Sequence, residues 1–312
     1  MNRRDAFALM WLLGMVGLAV VGLTGCGSTP TAARPTARPA TSTATATPSP
    51  TPTPTPRPFA ARVNGDVIWL EEWRAETQRV LAAAEDLGLP LDEAEAQAQA
   101  LRALVEETLL AQAAREEGLA PTADEVEQRL AALRAGFDND AAWDAYLAQL
   151  GYDEANLKRA LARAMAAARM RAAIAAQVPT RAEQVRARQI FVRTQEEAAA
   201  VLQYLQQGVE FHTLVAQYHP TSRGDLGWFP RGVLFAPQVE EAAFKLEVGE
   251  YSQPIPVPGG YVILYVEDRA EDRPLAPWAQ RTLQRQAIAS FLQSRWQQAD
   301  LQWGPGVPTL TP

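Results

Sequence analysis

The chain has 312 residues, with 36 acidic against 29 basic side chains, a formal net charge of −7, one cysteine and two histidines. Residues 1–25 carry a net +1 and residues 26–58 a net +3, which leaves −11 on the body from Phe59 onward and argues against nucleic acid or anionic lipid as a surface partner. A single cysteine excludes disulfide staples and thiolate metal sites, so a body of roughly 250 residues, enough for two modest domains, must be held by its core alone.

At the N-terminus, Arg3 and Arg4 precede an apolar run from Ala6 to Gly22 that closes on Leu23-Thr24-Gly25-Cys26. A basic start, a short apolar core and a small-residue end predict a signal peptide. A plain transmembrane anchor is the alternative, because a run of about 17 residues is at the lower edge of a spanning helix. The closing tetrapeptide resembles a bacterial lipobox, which implies cleavage before Cys26, lipid on its sulfur and a body held outside the cytoplasmic membrane. Gly27 to Pro58 is rich in Thr, Pro, Ala and Ser and has too little apolar surface to offset ordering. Its prolines favour an extended tether at about 3.1 Å per residue, a reach of up to roughly 100 Å.

The body opens on Ala61-Arg62-Val63-Asn64-Gly65-Asp66-Val67-Ile68, where Asn-Gly between alternating apolar residues predicts a hairpin with a type I′ turn. Trp69 to Trp73 starts a helix with acids in its first turn. Leu91 to Glu117 carries Leu101, Leu104, Val105, Leu109 and Leu110 at helical spacing. Thr122-Ala123-Asp124-Glu125 is a capping box that starts a helix to about Ala135, and two more follow over 141–150 and 153–177, separated by Gly151. Lys158, Arg159, Arg163, Arg169 and Arg171, like Glu93, Glu95, Glu106 and Glu107, read as solvated helix faces. The "VNG" hairpin running into a Glu-Glu-Trp helix resembles the amino-terminal helical domain of the SurA/PrsA family of folding factors.

Farther on stands Arg223-Gly224-Asp225-Leu226-Gly227-Trp228-Phe229-Pro230-Arg231-Gly232, a tight turn with aromatics packed across it. An amphipathic helix (239–246), a turn (248–252) and a strand from Gly259 to Val266 follow. In this order the stretch from Val185 to Glu267 resembles the parvulin peptidyl-prolyl isomerases. Residues 267–277 read as a charged connector. The helix from Pro277 to Ala299 carries Leu283, Ile288, Phe291, Leu292 and Trp296 on one face, and Leu301-Gln302-Trp303 adds a strand beside the Val63 hairpin. The resemblance implies that this last helix packs back on the amino-terminal helices.

Rotation about a peptide bond is opposed by about 18–20 kcal/mol, and the cis form is accessible mainly before proline. Isomerising it needs an apolar ring pocket and groups complementary to a twisted amide, with no cofactor and no metal. The resemblance implies which residues supply these. Gln189 stands where the family has its first histidine, and Val262 replaces the second. The segment from Tyr218 to Asp225 is shortened and lacks the family's Asp or Cys. Gln189 and Ser222 are the candidate catalytic residues. Leu234, Val239, Phe229 and Tyr218 are the candidate substrate-binding residues, while Phe244 reads as core. Gly224, Asp225 and Gly227 are structural turn residues, and Cys26 is the lipid site. His212 and His219 have no ligand spacing and read as ordinary polar side chains near a groove.

These readings give an α+β fold, a mainly helical SurA/PrsA-like chaperone domain with an inserted parvulin domain, itself a small antiparallel sheet surrounded by short helices. The expected divisions are a signal peptide (1–25), a tether (26–58), the N-terminal helical domain (59–182), the parvulin-like domain (183–270), a returning helix and strand (271–304) and a tail (305–312). The expected function is a membrane-tethered, extracytoplasmic prolyl isomerase acting on Xaa-Pro segments of exported or unfolded polypeptides. Two alternatives stay open. One is a non-catalytic holdase built on a degenerate site, and the other a structural lipoprotein whose parvulin fold only docks or dimerises. The site is expected to isomerise weakly or not at all, with the peptide groove retained. Expected partners are such polypeptides and, through lipid on Cys26, the membrane; nucleic acid is not expected, and a homodimer stays open.

Overall fold

The Asn64-Gly65 turn folds as its residues dictate, with φ of 51° and 90°, and joins β1 (Phe59–Val63) to β2 (Asp66–Trp69). The computed structural model describes residues 57–311, so the signal peptide, Cys26 and the tether up to residue 56 lie outside the described residues. Helix α1 (Leu70–Leu87) follows with Glu71 and Glu72 in its first turn and ends at Gly88, φ 65°. Each of the next four helices starts on a polar side chain that accepts a backbone N–H, the interaction that replaces the missing intrahelical partner. Asp92 caps α2 (Glu93–Glu116), Thr122 caps α3 (Ala123–Arg134) with both halves of its capping box formed, Asn139 caps α4 (Asp140–Leu150) and Asp153 caps α5 (Glu154–Ala176). Gly151, φ 73°, ends α4.

Leu101, Leu104, Val105 and Leu109 of α2 bury against Ala60, Ala61 and Val63 of β1, with Ile68 and Trp73. A second cluster joins Leu110, Ala111, Ala113 and Ala114 to Ala166, Ala167, Met170 and Ile174 of α5. Alanine lets the two helices approach closely, so a run that looks uninformative by sequence is a packing surface. Helix α9 (Pro277–Gln298) closes both clusters, with Ile288, Phe291 and Leu292 on the second and Trp296 in the first. Strand β7 (Leu301–Trp303) pairs antiparallel with β1, Leu301 opposite Val63 and Trp303 opposite Ala61, in a sheet of order β2-β1-β7. The residues after β7 are not a loose tail. Val307 and Leu310 pack on the first cluster, and the Thr311 carbonyl accepts a bond from Arg102 at 3.0 Å.

Between α5 and α9 lies a second, four-stranded antiparallel sheet of order β4-β3-β6-β5. In chain order it comprises β3 (Arg181–Val192), α6 (Gln195–Gln206), α7 (Phe211–Tyr218), β4 (Asp225–Pro230), α8 (Pro237–Lys245), β5 (Ile255–Val257) and β6 (Gly260–Pro274). Alternation along the strands sends side chains to opposite faces. Ile190, Val192 and Ile263 face α6 and α7, whereas Val185, Ala187, Val262, Leu264 and Val266 face α8.

Two expectations are corrected here. Residues 267–274 are strand and not connector, because β6 stays paired with β3 as far as Pro274 opposite Arg181. A projecting ribbon has solvent on its faces and tolerates charge. Both Asp272 oxygens accept from Arg181 Nε at 2.9 Å, and Glu183 pairs with Arg269 at 2.8 Å. The basic residues of α5 are not a uniformly solvated face. Arg163 is 15% exposed and bridges Glu72 of α1 and Glu107 of α2, the latter at 2.8 Å. Among the described residues, no helix is long and apolar enough to cross a membrane.

Candidate active site

The face of the second sheet beneath α8 carries the site. Gln189 lies on β3 between Ala187 and Phe191, directly opposite Leu264 of β6, while Phe191 stands opposite Val262. Opposed residues share a face, so the Gln189 amide points to the side where Leu264 and Val262 are buried. Its side chain is part-exposed and makes no hydrogen bond to another described residue, which leaves a donor and an acceptor for a ligand. Val262, in the second histidine position, is 3% exposed and part of the core.

The turn before β4 closes on the Gln189 backbone. Gln189 N–H donates to the Gly224 carbonyl at 2.9 Å. Gly224 has φ 59°, and a Cβ there would lie 1.9 Å from the Gln189 oxygen, so this approach requires glycine. The Ser222 hydroxyl accepts the Gly224 N–H at 3.3 Å, and Asp225 Oδ1 accepts the Gly227 N–H at 2.8 Å. Both side chains build the turn. Ser222, expected as catalytic, is tied to its own loop, and no hydrogen bond links it to Gln189.

The apolar residues separate into two groups. Val239 and Phe229 belong to the core beneath α8, and Leu234 packs against that core while remaining part-exposed. Phe229 is 0% exposed and meets Phe244 edge-on at 6.1 Å between ring centres. The expectation that Phe229 contacts substrate is therefore corrected, because its ring has no free face. Val239, 3% exposed, lies in the same core against which Leu234 packs, so the expectation that it contacts substrate is corrected as well. Tyr218 is on the other side. With Tyr204, Val209, Leu214 and Gln217 it lines an open hollow of about 470 Å³ beside α6 and α7. The structure thus brings Gln189, Leu234 and Val239 to one face and leaves Tyr218 apart.

Three residues at this sheet were missed as specific groups. His219 Nε2 accepts the Phe191 N–H at 2.9 Å, so its proton is on Nδ1. It caps the edge of β3 beyond the last residue that β4 pairs, and an unpaired strand N–H followed by a polar ring in the next loop is the signal for it. Glu240 Oε1 accepts from Gly232 N–H at 2.7 Å, and its Oε2 accepts from Val233 and Leu234 N–H at 3.0 and 3.1 Å. A glycine turn with an acid eight residues on, in the first turn of a helix, is the corresponding signature. Glu267 meets Arg188, Arg186 at 3.0 Å and His212 at 3.0 Å on the opposite face of the sheet. Burial alone raises the Glu267 carboxyl, but the hydrogen bonds from Arg188 and His212 and the charges of Arg188 and Arg186 outweigh it and hold it below the usual carboxylate range.

This geometry offers an apolar surface beside one free amide. It holds no linked nucleophile and base, and rotation about an amide needs none.

Residues 3–171 match the family model of a SurA-like N-terminal domain, and residues 175–277, which enclose β3 to β6, match that of a PPIC-type PPIase domain. The foldase protein PrsA of Caldanaerobacter subterraneus subsp. tengcongensis is 40% identical over 90 residues, 27% of this chain and 29% of that protein. PrsA of Halalkalibacterium halodurans is 38% identical over 93 residues, 28% of each. The chain therefore spans less than a third of the length of these curated relatives in the matched region. A crystal structure of peptidylprolyl isomerase (PrsA) from Bacillus anthracis superposes with a TM-score of 0.40 and 21% identity, over 64% of this chain and 96% of that one.

Proposed function

This chain belongs to the SurA/PrsA family of parvulin-type proteins, pairing a SurA-like N-terminal domain with a PPIC-type PPIase domain, and we propose that it is a tethered extracytoplasmic folding factor that isomerises Xaa-Pro bonds in exported polypeptides. The observation that carries the chemistry is the free Gln189 amide on the sheet face whose apolar core is topped by the part-exposed Leu234. The pyrrolidine ring rests on Leu234, and Gln189 offers its side-chain N–H to the nitrogen of the twisted amide. An amide that loses conjugation gains a more basic nitrogen and a less polarised oxygen, so a fixed donor aimed at that nitrogen favours it over the planar form. The lipobox-like Leu23-Thr24-Gly25-Cys26 and the Pro/Thr-rich segment after it support the membrane connection.

A second reading, a holdase without turnover, draws support from Val262 and Ser222. The first is a core residue and the second is occupied by its own turn, so Gln189 is the one polar side chain of the expected set left free on this face. Protease-coupled isomerisation of Xaa-Pro tetrapeptides, paired with suppression of aggregation of a denatured client, separates the readings. A rate above background that falls about 10-fold or more in Leu234→Ala and in Gln189→Ala is expected. Suppressed aggregation with no rate for any residue before proline would establish the holdase instead. Loss of both would point to a docking module.

A further inference from the structure

Strand β4 pairs with β3 only as far as Arg188 opposite Asp225. Alternate residues of a strand point their N–H groups to the same edge, so those of Gln189 and Phe191 come next on the edge that β4 leaves. Both are taken by the turn between α7 and β4. The Gly224 carbonyl accepts the Gln189 N–H at 2.9 Å, and His219 Nε2 accepts the Phe191 N–H at 2.9 Å. His219 is half-buried, and its carbonyl accepts the Arg223 N–H at 2.8 Å, which closes the turn on itself. At the far end Arg188 Nη1 donates to the Arg223 carbonyl at 3.0 Å, and Arg188 is itself held by Glu267. Arg223 has φ 50°, an uncommon conformation for a residue with a side chain. The turn is thus fastened at both ends to the strand that carries the Gln189 amide.

The two fastenings differ in how they respond to acid. The Arg223 end rests on a guanidinium and on a carboxylate held below its usual range, so both keep their charge in mild acid. The His219 end rests on a neutral ring nitrogen. A protonated imidazole has two N–H donors and no acceptor, so it would face the Phe191 N–H donor to donor. Histidine is the side chain whose charge ordinarily changes between about pH 5 and 8. The charged groups of the elements packed around this turn are Arg188 of β3, Arg193 just past it, Arg223 in the turn, Asp225 of β4 and Glu267 of β6. The other titratable rings are His212 and Tyr218 of α7. A proton on His212 strengthens its contact with Glu267, at 3.0 Å, and so acts in the opposite direction.

We infer that His219 is a positioning residue for the site: its neutral ring pins the turn against β3 beside Gln189, and protonation of that ring releases the turn and weakens binding and turnover of Xaa-Pro segments. The inference rests on the isomerase reading of the Gln189 face. It adds a regulatory input to that site, acid, and names the residue through which the input acts.

The test uses the full-length protein. NMR exchange on an Xaa-Pro tetrapeptide gives turnover without a coupling protease, and anisotropy of the labelled peptide gives Kd whether or not turnover is detectable. Both are followed from about pH 8 to about pH 5. Wild type is expected to lose about 10-fold in kcat/KM or in affinity on acidification, the order set by one backbone hydrogen bond. The Phe191 amide resonance should move over the same range. His219→Gln replaces Nε2 with a carbonyl oxygen that takes up no proton, so this variant should stay within about 3-fold of wild type at about pH 8 and lose the acid dependence. His219→Leu has no acceptor and should show the acid level of wild type at every pH. His212→Gln should leave the acid loss in place. A flat wild-type profile, an acid loss that His219→Gln retains or that His212→Gln abolishes, or a folded His219→Leu protein at the full wild-type level would each overturn the inference and leave the isomerase reading standing. His219→Gln decides alone if the leucine variant fails to fold. Wild-type protein that neither turns over nor binds any Xaa-Pro peptide at any pH would overturn that reading and the inference with it.

Discussion

Glu267 stands where Arg188 and Arg186 of β3 and His212 of α7 meet, so one carboxylate fastens the central strand pair to a helix. Its pKa lies below the ordinary value in the folded chain, which makes it a stabilising group at neutral pH. That contribution is fully present above the unfolded pKa and is lost as pH falls through the folded one. Melting of wild type and Glu267→Gln across pH should therefore give a lower Tm for the variant at pH 7 and a gap that narrows below about pH 4. A gap that persists at pH 3 would assign the effect to packing. At the same scale, Gln189 and Val262 were legible as departures from the family's histidines, because a strand motif fixes which positions share a face. His219 and Glu240 were not. Each acts by satisfying backbone N–H groups of residues distant in the chain, and a sequence motif says nothing about which amides lack partners.

The elements follow their local signals closely wherever a cap or a turn residue decides them, as at Asn64-Gly65, Thr122, Asp153 and Gly151. They depart where long-range pairing decides. The charged run 267–274 is strand because β3 lies alongside it. Helix α5 looked like one basic face by composition, yet its arginines differ in kind. Arg163 is held between two carboxylates with little exposure, and its guanidinium is held above its usual pKa: burial works against the charge, but the Glu72 and Glu107 charges and their hydrogen bonds outweigh it. Arg163→Ala takes the shared partner from Glu72 and Glu107 and should cost about 3–5 kcal/mol in denaturant melts. Lys158→Ala removes a surface pair with Glu127 and should cost less than about 1 kcal/mol. Equal effects would mean that burial does not distinguish them.

At the scale of the molecule, residues from Phe59 onward form one compact unit whose first sheet needs both ends of the body. β1 is completed by β7, and the α2/α5 cluster is completed by α9. A chain stopped at Pro274 exposes Leu110, Met170 and Ile174 together with the unpaired edge of β1. It should bind hydrophobic dye strongly, lose its cooperative melt and become protease-sensitive in α2 and α5. A cooperative melt with native-like helix content would show that α9 and β7 are dispensable. The sequence by itself determined the capped helices, the hairpin, the order of the parvulin-like strands and the family, because caps, turns and alternation are written within a few residues of where they act. The tertiary structure decided which side of the sheet Tyr218 occupies, that Phe229 is core, that residues 305–311 are packed, and that Glu240 and, through the Gly232 carbonyl, Gln286 of α9 hold the Leu234 loop. Each of these depends on contacts between segments far apart in the chain, whose burial and hydrogen-bond partners exist only once the core has assembled.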